Sequence, residues 1–281
     1  MNKTKIDWCD STWNPVTGCL HGCEYCYARG TAERFRGFEP SENGAWDTIQ
    51  YGKGKERLGV LNSAQVKKCK DGKIIRAPYP FGFTPTLHRY RLNDYINKKG
   101  RNIFVCSMAD LFGDWVPDEW IEEVFAACAK APQHNYLFLT KNPKRYLDLE
   151  ISGKLPKGDN MWYGVTINNM KQVERVYEAV GNLPGSTHLF LSVEPLLEDI
   201  SWHPRWSDMV INWWMGWVII GAETGSRRNK VVPERKWIKN LVNDCGFMQM
   251  PVFMKSSLKE IWGEPLIQEF PRKLKGGSSH A

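Results

Sequence analysis

The sequence predicts an α/β fold: a partial or full (β/α) barrel of parallel strands that carries one loop-rich insertion. Three observations predict it. Short apolar segments alternate with helical ones along most of the 281 residues, the pattern of parallel strands joined by right-handed crossovers. Most apolar segments end on polar residues: Ser107 and Asp110, Thr140 and Lys141, Thr166, Glu194, Glu223, Lys255. In a parallel barrel such ends collect at one rim, where active sites form. No glycine-rich fingerprint follows a strand, which favours a barrel over a doubly wound open sheet.

Taken in order, IDWCDSTW reads as a short strand within 6–13 that leads into a loop, and YARGTAERF as a helix. From about 37 to 84 glycine and proline punctuation replaces periodicity, which predicts an insertion of loops and short elements, either a substrate-facing lid or a solvated excursion. The run at 84–99, TPTLHRYRLNDYINKK, has a helical pattern with Leu87, Tyr90 or Arg91, and Asp94 or Tyr95 on one stripe. NIFV opens a buried strand. VPDEWIEEVFAACAKA is a helix with Pro117 in its first turn and acidic residues in its N-terminal half. NYLFLTK, MWYGVTI, THLFLSVEPL, WWMGWVIIGAE and PVFMKS follow as strands. NPKRYLDLE, NNMKQVERVYEAV and PERKWIKNLVNDCG are the helices among them. The expected organisation is one domain over 1–281, with a flexible tail at about 275–281.

Composition narrows the function classes. The chain is 42% hydrophobic and 25% charged with a net charge of +7, ordinary for a globular protein and compatible with an anionic partner. No apolar run reaches membrane-spanning length, and MNKTKIDWCDS lacks the apolar stretch of an export signal, so no membrane is expected and a cytoplasmic setting is. Eight cysteines are present, but a disulfide scaffold is not expected in a chain of this length without a secretion signal.

Three of those cysteines crowd into CLHGCEYC, residues 19–26: Cys19, Cys23 and Cys26. Structural zinc needs four ligands, with Cys9 or His21 as candidates for the fourth. A [4Fe–4S] cube takes soft thiolates, and three of them leave one iron open to a small molecule that brings an amine and a carboxylate. A ferredoxin role would call for a fourth thiolate.

C-x3-C-x2-C with an aromatic before the last cysteine, here Tyr25, resembles the signature of the radical S-adenosylmethionine (radical SAM) enzymes. The resemblance implies a [4Fe–4S] cluster on Cys19, Cys23 and Cys26, S-adenosyl-L-methionine on the open iron, and Tyr25 near its adenine. It also implies a 5′-deoxyadenosyl radical that takes hydrogen from a substrate, and an electron donor such as flavodoxin or ferredoxin. More narrowly, IDWCDSTWNPVTGC, CEYCYA, SVEPLL and WVIIGAETG resemble the phage Gp37/Gp68-like proteins across most of the chain. One departure stands out: the glycine-glycine-glutamate segment that contacts the cofactor amine in the superfamily has no counterpart after Phe104, where CSMAD brings Ser107 and Asp110.

Ser107, Asp110, Glu194, Gly221 and Glu223 are therefore the candidate cofactor-binding residues beside Tyr25. Glu194 has a rim salt bridge as its plainer role, and GAETG (221–225) a plain strand-to-helix turn. Lys141 and Lys255 are cations for a carboxylate or phosphate, or simply solvated. RRNK (227–230) is a phosphate site or bare surface. Trp202 and Trp206 are candidates to stack on a base, whereas Trp213, Trp214 and Trp217 are expected to pack. The substrate expected is a nucleotide or nucleic-acid base. The alternatives are a peptide or small metabolite for the same chemistry, or a zinc-stabilised nucleic-acid-binding module without turnover.

Overall fold

The computed structural model describes residues 4–36, 48–52, 54, 56–68, 71–211, 215–225 and 227–274. The expected tail, part of the expected insertion (37–47), Trp213 and Trp214 lie outside these residues. Seven strands form the main sheet: β1 (Ser11–Trp13), β2 (Asn102–Val105), β3 (Asn135–Thr140), β4 (Met161–Thr166), β5 (His188–Val193), β6 (Val218–Ile220) and β7 (Val252–Met254). They lie side by side in chain order and every adjacent pair is parallel. The order never reverses, so the sheet has no switch point of the doubly wound kind. It curls instead into a partial (β/α) barrel, as the alternation of strands and helices predicts.

Residues of period two sort the strands' side chains onto two faces. Ile103, Val105, Tyr136, Phe138, Tyr163, Val165, Leu191, Val193, Val218 and Val252 point outward and pack with the helices. The helices are α1 (Tyr27–Arg34), α2 (Asp118–Ala129), α3 (Lys144–Ile151), α4 (Met170–Val180), α5 (Pro204–Ile211), α6 (Arg235–Phe247) and α7 (Lys259–Trp262). Pro117 stands at the N-cap of α2, one residue before its first turn. Among the described residues no helix is long and apolar enough to cross a membrane.

The inner face is aromatic: Phe104, Leu137, Trp162, Phe190, Ile219 and Phe253 meet Trp8, Trp217 and Leu274. Burying a side chain such as Phe190 contributes roughly 1.5–3 kcal/mol. β1 and β7 do not pair, and two flanking segments fill the space between them. From one side, Trp8 lies 4.6 Å from Phe104 and 6.2 Å from Trp217, and Asp7 Oδ2 accepts from Ser256 N at 2.8 Å. From the other, Gln268 bridges Phe253, and the Phe270 ring sits 5.4 Å from Trp217 and 5.2 Å from Phe253. The second segment also covers the open edge of β7, which would otherwise offer unpaired backbone.

The insertion contributes to the core. Arg57–Leu61 pairs in parallel with Thr86–His88, which pairs with Val16–Thr17, and Thr48–Tyr51 lies on the other side of Arg57–Leu61. Leu58, Val60 and Leu61 are fully buried, so this part is not a solvated excursion. The helix expected at 84–99 is absent. Thr86–His88 is a strand with all three side chains buried, followed by a 3-10 turn at Arg89–Arg91. Its helical spacing yields to pairing on both sides and to a hydrogen bond between His88 and Thr17 at 2.8 Å. The strand expected within 6–13 is confined to Ser11–Trp13, because Trp8 and Cys9 turn into the inner core.

Candidate active site

A cleft of about 220 Å3 opens at the carboxyl ends of the strands. Each post-strand segment adds to its wall: the cysteine loop after β1, Ser107 and Asp110 after β2, Thr140 and Lys141 at β3, Thr166 at β4, Glu194 after β5, Glu223 after β6 and Lys255 after β7. Trp8 and Phe104 form its apolar floor. The strand-end residues picked from the sequence are thus brought together, with one exception. Gly221 is behind the wall, where an added Cβ would stand 3.1 Å from both Glu194 Cγ and Lys255 Cδ. Its bare backbone leaves room for the Glu194–Lys255 ion pair.

The cysteine loop is fastened at both ends. Before it, Gly18 has φ +84° and its N–H donates to the Met108 carbonyl at 2.9 Å; a Cβ there would lie 2.4 Å from the backbone of Thr84. Only glycine tolerates both the left-handed conformation and the contact. After it, Cys26 caps α1, its Sγ accepting from Arg29 N at 3.4 Å. Cys19, Cys23 and Cys26 are partly exposed, free of disulfides, and all on the cleft wall. Burial pushes the Cys19 thiol up to about 12.

Between these ends the loop is held by Asp110 through His21. His21 Nε2 donates to Asp110 Oδ2 at 2.7 Å, and its ring meets Trp115 edge-on at 4.8 Å. Asp110 also accepts from Lys141 N at 2.9 Å, Thr140 Oγ1 at 2.8 Å and Phe112 N at 3.0 Å. These four bonds occupy the acceptor sites of a carboxylate. Burial works to raise the Asp110 pKa, but the bonds from His21, Lys141 and Thr140 prevail and hold it below its ordinary value. Cys106, just before this segment, takes φ +59°, a strained conformation for a non-glycine residue that turns the chain from β2 into the cleft wall. Ser107 Oγ donates to Asn14 Oδ1 at 3.2 Å.

Tyr25 leans toward β4. Its hydroxyl donates to Asn168 Oδ1 at 2.7 Å, and Lys141 Nζ reaches the same oxygen at 3.3 Å while lying 5.4 Å from the Tyr25 ring centre. Asn168 Nδ2 donates in turn to the Pro195 carbonyl at 2.7 Å. Burial pushes the Lys141 ammonium below its ordinary value. Glu223 is gripped by Arg227 through two bonds of 2.7 Å, and the same guanidinium reaches Glu24 of the cysteine loop at 2.9 Å. That grip holds the Glu223 carboxyl below its ordinary value. It also engages Arg227, the first residue of RRNK, in an internal tie.

Of the tryptophans, Trp206 is fully buried with its indole on Asp244 at 2.9 Å, so it is not a stacking platform. Trp217 is in the inner core, as expected. Trp202 is exposed, its indole bonded to Asp199 at 2.9 Å. Sequence reasoning missed Asn168 and the anchoring role of His21. The NN after β4 was the available signal for the former; nothing local signalled a carboxylate 89 residues from His21.

Residues 3–276 match the model of a family of proteins of unknown function, DUF5131. The chain belongs to DUF5131. No curated protein matches this DUF5131 chain. Two solved structures of spore photoproduct lyase share its fold. One, a cysteine-to-alanine mutant with dinucleoside spore photoproduct, gives a TM-score of 0.50 at 10% identity and covers 93% of this chain and 76% of the lyase chain. The other, a tyrosine-to-phenylalanine mutant, gives 0.51 at 9% identity, over 90% and 78%. At this identity the DUF5131 chain and the lyase are alike in fold.

Proposed function

We propose that the chain is a radical SAM enzyme whose substrate is a nucleotide or nucleic-acid base. The observation that carries the reading is the placement of Cys19, Cys23, Cys26 and Tyr25 on one cleft wall at the carboxyl rim of a partial parallel barrel. The fold is that of spore photoproduct lyase, itself a radical SAM enzyme. That protein was solved with a dinucleoside, which supports the choice of substrate class. The Gp37/Gp68-like likeness of the sequence runs through the same strand ends.

The donor set fits a [4Fe–4S] cluster: three soft thiols, partly exposed, with Cys9 packed away in the inner core. Among the described residues no three His, Cys, Asp or Glu side chains converge to hold a metal ion, and a cube of four irons asks for thiols spread around it. Cys19, Cys23 and Cys26 would hold the cluster, which, when bound and reduced by a donor such as flavodoxin or ferredoxin, would supply the electron for splitting S-adenosylmethionine into methionine and a 5′-deoxyadenosyl radical that takes hydrogen from substrate.

The chain's own residues orient and shield. Asp110 fixes the thiol loop through His21. Tyr25 and Lys141, both tied to Asn168, would offer the cofactor a ring and a cation. Ser107 and Glu194 flank the same space. Glu223 and Arg227 brace the loop at Glu24, and the apolar Trp8–Phe104 floor excludes water from the base of the cleft. Anaerobic reconstitution tests the reading. The expected result is iron and acid-labile sulfide at four each per chain and 5′-deoxyadenosine on reduction, both lost in the Cys19, Cys23 and Cys26 alanine variants. Stoichiometric zinc without sulfide, or a loaded cluster that yields no 5′-deoxyadenosine, would overturn it.

A further inference from the structure

α1 leaves the cleft directly from Cys26, and its outer surface has features that its own fold does not use. Tyr27 lines the cleft yet is 57% exposed, its hydroxyl fixed to the Ser107 carbonyl at 2.8 Å. Arg29 is exposed and holds its guanidinium 5.3 Å over the ring of Phe83, another cleft-wall residue. Arg34, likewise exposed, lies 5.3 Å over Phe35, and Tyr27, Gly30 and Arg34 fall on one stripe by helical spacing. Gly30 sits in the helix interior, where glycine is disfavoured against alanine. An added Cβ there would meet nothing within 4 Å, so no contact within the fold requires it.

Charge fixes the kind of partner. Glu33 is the acidic residue of α1, and both its oxygens are engaged: Oε1 accepts from Phe83 N at 3.0 Å and Oε2 pairs with Arg36 at 3.1 Å. Among the described residues no carboxylate pairs with Arg29 or Arg34, and each guanidinium lies 5.3 Å over a ring; a guanidinium is the planar group of several donors that takes phosphate oxygens. Tyr27, exposed, fixed and on the same stripe as Arg34, is a plate for a base. Bare backbone at Gly30 allows a strand to pass close to the helix.

We propose that the exposed surface of α1, with Tyr27 and Arg34 on one flank, Gly30 between and Arg29 on the other flank over Phe83, holds a single nucleic-acid strand that crosses the helix and leads one of its bases into the cleft. The proposal rests on the reading of the cleft given above, whose substrate class it makes specific: a polynucleotide strand, held by phosphates outside the cleft. Tyr27 stacks on the neighbouring base, and Arg29 and Arg34 bind successive parts of the backbone.

The test uses the full chain and a fluorescein-labelled single-stranded 20-mer, as DNA and as RNA, with anisotropy read across a salt series. Arg29→Ala with Arg34→Ala is expected to weaken binding about 10-fold and to lower the salt slope by about 1.4, two charges at ~0.7 each. Lys236→Ala with Lys239→Ala, equal in charge but on exposed positions of α6, is expected to change binding less than twofold. Gly30→Ala is expected to raise Tm and yet weaken binding, a pair of signs that a purely structural glycine would not give. Equal effects of the two double variants, no binding at low salt, or equal binding of a poly-glutamate peptide would overturn the proposal. Iron, sulfide and 5′-deoxyadenosine are measured on the same samples. Lost strand binding with intact cofactor chemistry sinks the α1 face alone. Intact strand binding without that chemistry supports the face and sinks the reading of the cleft.

Discussion

Asp110 spends all four acceptor positions on its own chain, whereas Glu223 spends both oxygens on one guanidinium that also reaches the thiol loop. Both were legible in the sequence as strand-end acids; what they hold was not, because their partners lie far along the chain. Glu223 has a consequence for pH. Its folded pKa lies below its ordinary value, so its contribution to stability is complete above the usual carboxylate range and is lost as pH falls through the folded value. Glu223→Gln is therefore expected to be less stable than the parent at pH 7 and to converge with it in acid. Urea unfolding at a series of pH values reads this directly, and a constant gap between the two down to pH 3 would contradict it.

Among elements, the cysteine loop depends on its approach as much as on its thiols. Gly18 lies under the Thr84 carbonyl in a left-handed conformation. Gly18→Ala is expected to cost about 1–3 kcal/mol, the range for overpacking a tight site, and to lower iron retained after reconstitution more than it lowers Tm. Circular dichroism with iron analysis separates the two effects. This position also shows where sequence reading stops. The spacing of the three cysteines gave their grouping, and the short apolar runs gave every strand of the main sheet after the first. The stretch at 84–99 was misread because Thr86, Leu87 and His88 take their structure from strands far away in sequence, Val16–Thr17 and Arg57–Leu61. Local periodicity carries no trace of such pairing, nor did it mark Pro204–Ile211 as a helix among its tryptophans.

For the whole molecule, the half-barrel owes its closed interior to segments outside its strands. Residues 267–274 lay Phe270 and Leu274 against Trp217 and Phe253 and bond their backbone to β7, Trp217 and Asn102. Ending the chain after residue 265 is expected to expose the aromatic inner face and the β7 edge. The measurable outcome is strong binding of a hydrophobic dye and concentration-dependent aggregation at temperatures where the full chain is stable. A truncated chain with unchanged Tm and no dye binding would show that the inner core closes without this segment.

The strict chain order of the seven strands also sets a timetable. The thiol loop follows the first strand, while Lys255, also on the cleft wall, follows the last. A growing chain thus presents its three cysteines long before the rest of the cleft wall has been made, and during that interval they are ordinary exposed thiols. Only a finished barrel offers them a shared, sheltered space, so the cluster proposed for them is expected to load after synthesis, on the folded chain.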